Sequence, residues 1–156
     1  MRRPRGQPRP LPHRGQQQRR YLHGALCYPT GEWYVRVLPR MDTGSVLQFC
    51  QALLADFPDR EIWLIMDSAP AHHSKAFTEF LEATARLQVQ YQPTYAPWTN
   101  PVERVWQEMR RWVTHAHELF DFADLLRAAE RWCQRLALAP QSACRLASFQ
   151  GAESTH

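Results

Sequence analysis

The sequence predicts an α/β layered fold, and three observations carry that prediction. Short apolar segments of strand length alternate with amphipathic segments at helical period. The most continuous apolar run, "IWLIM" at 62–66, has strand length and suits a strand covered on both faces with parallel neighbours. The chain has 156 residues, 44% hydrophobic and 22% charged, which is one domain's worth and enough to bury a core. No run approaches the roughly 20 apolar residues of a membrane span, and the N-terminal arginines lack a signal peptide's apolar region. The expectation is a cytoplasmic protein with no membrane contact. Cys27, Cys50, Cys133 and Cys144 are scattered, with no Cys-x-x-Cys pair, and are expected to be reduced packing residues.

The elements follow in order. Residues 1–20 hold Arg2, Arg3, Arg5, Arg9, Arg14, Arg19 and Arg20, and no acidic residue occurs before Glu32. Pro4, Pro8, Pro10 and Pro12 deny this stretch a regular helix, so it is an extended basic arm, either solvated or suited to a polyanion. "RRYLHGALCYP" and "EWYVRVLP", separated by Pro29, Thr30 and Gly31, predict a hairpin. Val46, Phe49, Cys50, Leu53, Leu54 and Phe57 fall at helical spacing, with Thr43 or Ser45 as cap and Pro58 after the end. The strand at 62–66 comes next, then a helix over 73–85 with Phe77, Phe80 and Leu81 inward. "LQVQYQP" alternates, as a strand with one wetter face or near an edge does. A helix is predicted from Pro101 to about His115, with Val102, Val105, Trp106, Met109, Trp112 and Val113 on one side. The last helix starts near Asp121, buries Phe122, Leu125, Leu126, Ala129, Trp132, Cys133 and Leu136, and ends by Pro140. The organisation is an arm over 1–20, one α/β domain over 21–140 and a patternless tail over 141–156, without internal repeats.

In sheets of this kind chemistry collects at the carboxyl ends of strands, and Asp67 stands at such an end. A second carboxylate, Glu103, lies on the first turn of the helix that Asn100 would cap and Pro101 would open, at capping-box spacing. Each has an ordinary structural role open to it, as a turn acceptor or a capping glutamate. Together they could converge on a hard cation, because Mg²⁺ takes one or two protein carboxylates plus water and phosphate oxygens. Two such ions about 3.5–4 Å apart can activate a hydroxyl and stabilise a leaving oxygen in a phosphodiester displacement. A histidine site from His72, His73 and His115 or His117 is disfavoured, since adjacent histidines at a helix start point in different directions.

The segment "DSAPAHHSK" resembles an Asp-Asn-Ala-Pro-x-His motif, and "YQPTYAPWTNPVERVWQEMRR" resembles a Pro-Tyr-Ser-Pro-x-x-Asn-Pro-Ile-Glu-x-x-Trp motif. Both belong to the mariner-like DDE transposases, in the branch of bacterial insertion sequences. The 35 residues between Asp67 and Glu103 are close to that superfamily's interval, and the resemblance covers nearly the whole chain. It implies a ribonuclease-H-like (DDE/integrase-type) α/β fold that cuts and joins DNA with two Mg²⁺ or Mn²⁺ ions held by Asp, Asp and Glu. Asp67 would be the second aspartate and Glu103 the glutamate, with Asn100, Pro101 and His72 supporting them. Ser68 stands where the family has Asn. The family's first aspartate, on the first and central strand, has no counterpart, so the expected fold lacks that strand. The resemblance thus implies a truncated or frameshifted transposase, inactive alone, with transposon ends and target DNA as partners. An upstream polypeptide would supply the first strand and a helix-turn-helix, and a homodimer fits the family's pairing of DNA ends. Lys75, Trp98 and Arg104, with Arg110 and Arg111, could touch DNA. The alternative is a non-catalytic basic DNA-binding or regulatory remnant.

Overall fold

The computed structural model describes residues 19–27, 30–93, 100–115 and 122–147. Strands β1 (Tyr21–Cys27) and β2 (Glu32–Leu38) form the expected antiparallel hairpin, in register from Tyr21 opposite Leu38 to Cys27 opposite Glu32. Its turn needs Gly31, whose φ is 79° and whose amide donates to the Cys27 carbonyl at 2.7 Å. A Cβ there would also strike the Pro140 carbonyl, so both conformation and space select glycine.

Helix α1 (Thr43–Asp56) buries Val46, Phe49, Cys50, Leu53 and Leu54, as its period predicts. Its cap is Asp42, not Thr43 or Ser45: the Asp42 carboxylate accepts the Ser45 amide at 2.9 Å, which holds its pKa below the usual range. Thr43 and Ser45 fall inside the first turn instead. At the other end the Arg86 guanidinium donates to the carbonyls of Leu54 (2.7 Å), Phe57 (2.9 Å) and Arg60 (3.2 Å). Leu54 is in the last turn of α1, whose carbonyls have no partner within the helix, and Phe57 and Arg60 follow in the turn after it.

Strand β3 (Ile62–Met66) pairs in parallel with β4 (Leu87–Tyr91), Ile62 opposite Leu87 through Met66 opposite Tyr91. β3 was expected to be covered on both faces, but Trp63 and Ile65 are 70% and 67% exposed. Ile62, Leu64 and Met66 pack on the core shared with α1, so helices cover one face while β3 has one strand neighbour among the described residues. The helix expected over 73–85 is divided. A 3-10 turn (Pro70–His73) precedes α2 (Lys75–Glu82), because Ser74 is extended and caps α2 by accepting the Phe77 amide at 3.3 Å.

Helices α3 (Pro101–His115) and α4 (Phe122–Ala137) match their patterns, with two departures. Trp112 and Leu125 are each 40% exposed, and the Arg135 guanidinium lies over the Trp112 ring at 5.6 Å. The patternless stretch after Pro140 opens with a further helix, α5 (Pro140–Ala147). Its buried contacts are Ala143 and Ala147, one turn apart, and alanines give a periodicity search little to detect. Cys50 and Cys133 are buried packing residues, but Cys27 is exposed at the end of β1.

Two cores result. Trp33, Val105, Trp132, Cys133, Leu136, Ala143 and Ala147 form one, with Leu22, Leu26 and Val35 packed on it. Leu38, Val46, Phe49, Cys50, Leu54, Phe77 and Leu87 form the other, with Ala25 and Tyr34 packed on it. Alternate residues of the hairpin therefore serve opposite cores, as the two faces of a strand must. The described strands make two separate two-stranded sheets, β1 with β2 and β3 with β4. No helix among the described residues is long and apolar enough to cross a membrane.

Candidate active site

Asp67 follows the last residue of β3, and its side chain is 60% exposed. Its Oδ1 accepts the Ala69 amide at 3.2 Å, so the aspartate shapes the turn that frees the chain from the sheet. The same oxygen meets His72 Nδ1 at 2.8 Å, and that nitrogen lies 3.0 Å from the Asp67 carbonyl. His72 is itself fixed. Its carbonyl accepts the Tyr91 hydroxyl at 2.6 Å, and its ring leans on buried Phe77 with centroids 6.4 Å apart. Burial raises the pKa of Tyr91, which keeps this hydroxyl a donor. Ser68 donates through Oγ to the Gln92 carbonyl at 3.3 Å, tying the turn to the end of β4. His73 instead turns its ring onto Tyr91, centroids 4.3 Å apart. The adjacent histidines diverge, and the described residues contain no group of three His, Cys, Asp or Glu able to hold a metal.

The first turn of α3 approaches the same place. Asn100 Oδ1 accepts the Val102 amide at 3.2 Å and the Asn100 carbonyl accepts the Glu103 amide at 3.1 Å, so Asn100 caps α3 as its position predicts. Asp67, His72, Asn100, Pro101 and Val102 all line one cleft of about 470 Å³. Glu103, half-buried, follows on that turn but is not among the described residues of the lining. Lys75 is almost fully exposed and pairs with Glu79 at 3.6 Å. Arg104 is half-buried on α3, Arg110 is exposed, and Arg111 pairs with Glu108 at 3.0 Å. Trp98 and residues 1–18 of the arm lie outside the described residues.

The donors suit a hard cation. Asp67 and Glu103 offer carboxylate oxygens, the ligand type that Mg²⁺ and Mn²⁺ prefer, and Asp67 has its carboxylate largely in solvent. Tyr91, which anchors His72 from the neighbouring strand, was missed in the sequence. The parallel register that sets Tyr91 opposite Met66, beside Asp67, cannot be read from either segment alone.

The α/β core is ribonuclease-H-like, as solved structures of that architecture show. The catalytic core domain of BIV integrase superposes with a TM-score of 0.53 at 13% identity, over 73% of this chain and 72% of that one. The Mos1 strand transfer complex superposes at 0.55 and 16% identity, over 96% of this chain and 50% of the Mos1 chain. These likenesses speak to the fold. The family comes from sequence: the model for the DDE superfamily endonuclease matches residues 1–127, and the chain belongs to that family. An insertion element IS630 39 kDa protein of Shigella sonnei is 28% identical over 137 residues, 87% of this chain. Protein y4pE/y4sA of Sinorhizobium fredii is 31% identical over 97 residues, 61% of this chain and 69% of its own length. The chain spans 40% of the length of the Shigella relative.

Proposed function

We propose that this chain forms part of the catalytic domain of an insertion-sequence transposase acting on DNA, with Asp67 and Glu103 as two of its metal-holding carboxylates. The observation that supports it best is Asp67 itself. It is an exposed acid on a rigid strand end, oriented by His72, at a cleft that the capped start of α3 also lines. Mg²⁺ or Mn²⁺ bound there would activate the attacking oxygen and stabilise the leaving one. The protein's own contribution is positional. His72 holds Asp67, Asn100 and Pro101 set the direction of the Glu103 helix, and Lys75, Trp98, Arg104, Arg110 and Arg111 contact DNA. Residues 21–140, together with α5 packed into their core, carry the domain, the basic arm over 1–20 binds phosphates without sequence preference, and the chain works in the cytoplasm, on paired DNA ends as a dimer.

With two carboxylates in place of three, the chain alone does not cleave. The first strand, its aspartate and the helix-turn-helix come from outside these 156 residues, either further along the same polypeptide or from a second one. Incubating the purified chain with supercoiled plasmid and Mg²⁺ or Mn²⁺ tests this: no nicking is expected, and robust metal-dependent nicking abolished in Asp67→Asn would overturn the claim of inactivity. Mn²⁺ titration by calorimetry should show binding to the wild-type chain, at least tenfold weaker in Asp67→Asn; equal binding by both would remove Asp67 from the site. The seven arginines before residue 21 favour a second reading, a non-catalytic DNA-binding or regulatory role. Duplex-DNA binding that weakens steeply with salt and is unchanged in Asp67→Asn and without metal would support it.

A further inference from the structure

Strands β2 and β4 each have a strand neighbour on one side only among the described residues, and these two open edges differ in charge. β2 carries Glu32 and Arg36, ion-paired to Arg60 and Asp56. Charges of that kind are how an edge strand resists pairing with another chain. β4 has none. From Leu87 to Val102 the sequence holds no charged residue, and Arg86, just before it, is turned to the end of α1. Nor does Leu87–Tyr91 contain a proline or a glycine.

The ladder to β3 fixes which main-chain groups of β4 face outward. The Ile62 amide donates to the Arg86 carbonyl and the Gln92 amide to the Met66 carbonyl, each at 2.8 Å. Alternate residues of a parallel strand address the same neighbour, so Gln88 and Gln90 address β3, and Leu87, Val89 and Tyr91 address the open side. Two of the outward groups already have partners. The Leu87 amide donates to the Thr84 carbonyl at 3.0 Å, and the Tyr91 carbonyl accepts the Gln90 side-chain amide at 3.3 Å. Left over are the Leu87 carbonyl, the amide and carbonyl of Val89 and the Tyr91 amide, which have no partner among the described residues.

We infer that β4 pairs with β4 of a second copy of this chain, antiparallel about a two-fold axis at Val89, so that two β3–β4 sheets join into one. This register uses the groups left over. Val89 exchanges both its bonds with its own counterpart, and each Leu87 carbonyl accepts the Tyr91 amide opposite. The bond the register forgoes, between the Leu87 amide and the Tyr91 carbonyl, joins the two groups already satisfied. Side chains agree. Leu87 and Val89 keep to the core face, and Gln88 of one copy lies opposite Gln90 of the other, where side chains come closest. Gln88 donates to the Ala85 carbonyl at 3.0 Å and keeps its side-chain oxygen as an acceptor. No like charges meet on this strip, although each copy carries a net charge of +4. Such self-complementarity is what a two-fold contact demands, and it selects a second copy over an unrelated strand. The contact is small, so the dimer is weak and depends on concentration. It names where the two copies of the dimer proposed above meet, but it rests on the β4 edge alone and needs neither metal nor DNA.

The test follows the full chain, without metal or DNA, by sedimentation from low to high micromolar concentration, with hydrogen exchange read amide by amide. The expected result is a shift from monomer to dimer. Exchange at Val89 and Tyr91 should slow as concentration rises, while the Gln88 and Gln90 amides, bonded to β3, stay protected throughout. Gln88→Lys together with Gln90→Lys sets like charges across the axis and should weaken association at least tenfold. Gln88→Lys together with Gln90→Glu sets opposite charges there and should restore it. A chain monomeric at every concentration would overturn the pairing and leave the edge to a partner of another kind. Val89 exchange that ignores concentration would overturn it too, and association that survives the two lysines would place the contact elsewhere. If circular dichroism shows the two-lysine variant unfolded, the wild-type exchange pattern and the lysine–glutamate variant decide. Pairing at β4 with no Mn²⁺ binding at Asp67 would sink the catalytic reading alone, and Mn²⁺ binding by a lasting monomer would sink the pairing alone.

Discussion

In the proposed site Asp67 serves only while its carboxylate stays aimed, and at the residue scale His72 is the side chain that meets it, at 2.8 Å. Replacing His72 with alanine removes the 2.8 Å contact and leaves Asp67 tied by the Ala69 amide alone among the contacts described above. Groups that orient a metal ligand typically matter by 10–100-fold in affinity. His72→Ala is therefore expected to weaken Mn²⁺ binding by about that factor while circular dichroism stays that of the wild type; unchanged binding would show that the turn alone aims Asp67. A second residue sets a limit in alkali. Burial pushes the Cys50 thiol from 9.0 up to about 12, so between those values the unfolded chain loses a proton that the folded chain keeps. Fewer bound protons in the unfolded state mean that stability falls as pH rises, from about pH 9 upward. Urea midpoints measured from pH 8 to 11 should drop for the wild type and drop less for Cys50→Ala, relative to each protein's value at pH 8.

At the scale of elements, α1 and the β3–β4 sheet are joined by one side chain whose importance is out of proportion to its position. Arg86 precedes β4 and donates to three carbonyls at and just after the end of α1, so it sets both where that helix stops and where β4 begins. Arg86→Met keeps much of the apolar stem but leaves those carbonyls without their charged donor. A loss of about 2 kcal/mol in urea unfolding is expected, and a loss under about 0.5 would mean that water replaces the guanidinium at little cost. Gly24 plays the opposite part, by having nothing to offer. A Cβ there would come within 2.6 Å of the Trp106 ring and 2.8 Å of Trp33, so Gly24→Ala should cost about 1–3 kcal/mol through overpacking. The strands and most helices were legible because a period of two or of 3.6 is a local property, as in α1 and α3. The Arg86 clamp, the Asp42 cap in place of Thr43 or Ser45, and the alanine contacts of α5 were not. Each depends on which segment arrives next to which, or on side chains too small to mark a face. The same holds at the site: Asp67 and Asn100 could be picked out from strand end and cap position, whereas the Tyr91 anchor of His72 exists only through the parallel register.

Across the whole molecule, the hairpin is a party wall between two cores. Phe77, fully buried in one, and Val105, fully buried in the other, share no core. Phe77→Ala should cost about 3–5 kcal/mol and Val105→Ala less, in proportion to the smaller side chain. The double variant should equal their sum within about 0.5 kcal/mol, as distant sites do, and a larger discrepancy would show that the hairpin transmits strain between the cores. Among the described residues β1 and β3 each have a strand neighbour on one side only. Open strand edges invite association between copies, so the concentration at which the protein is made or stored would decide how much of it stays dispersed.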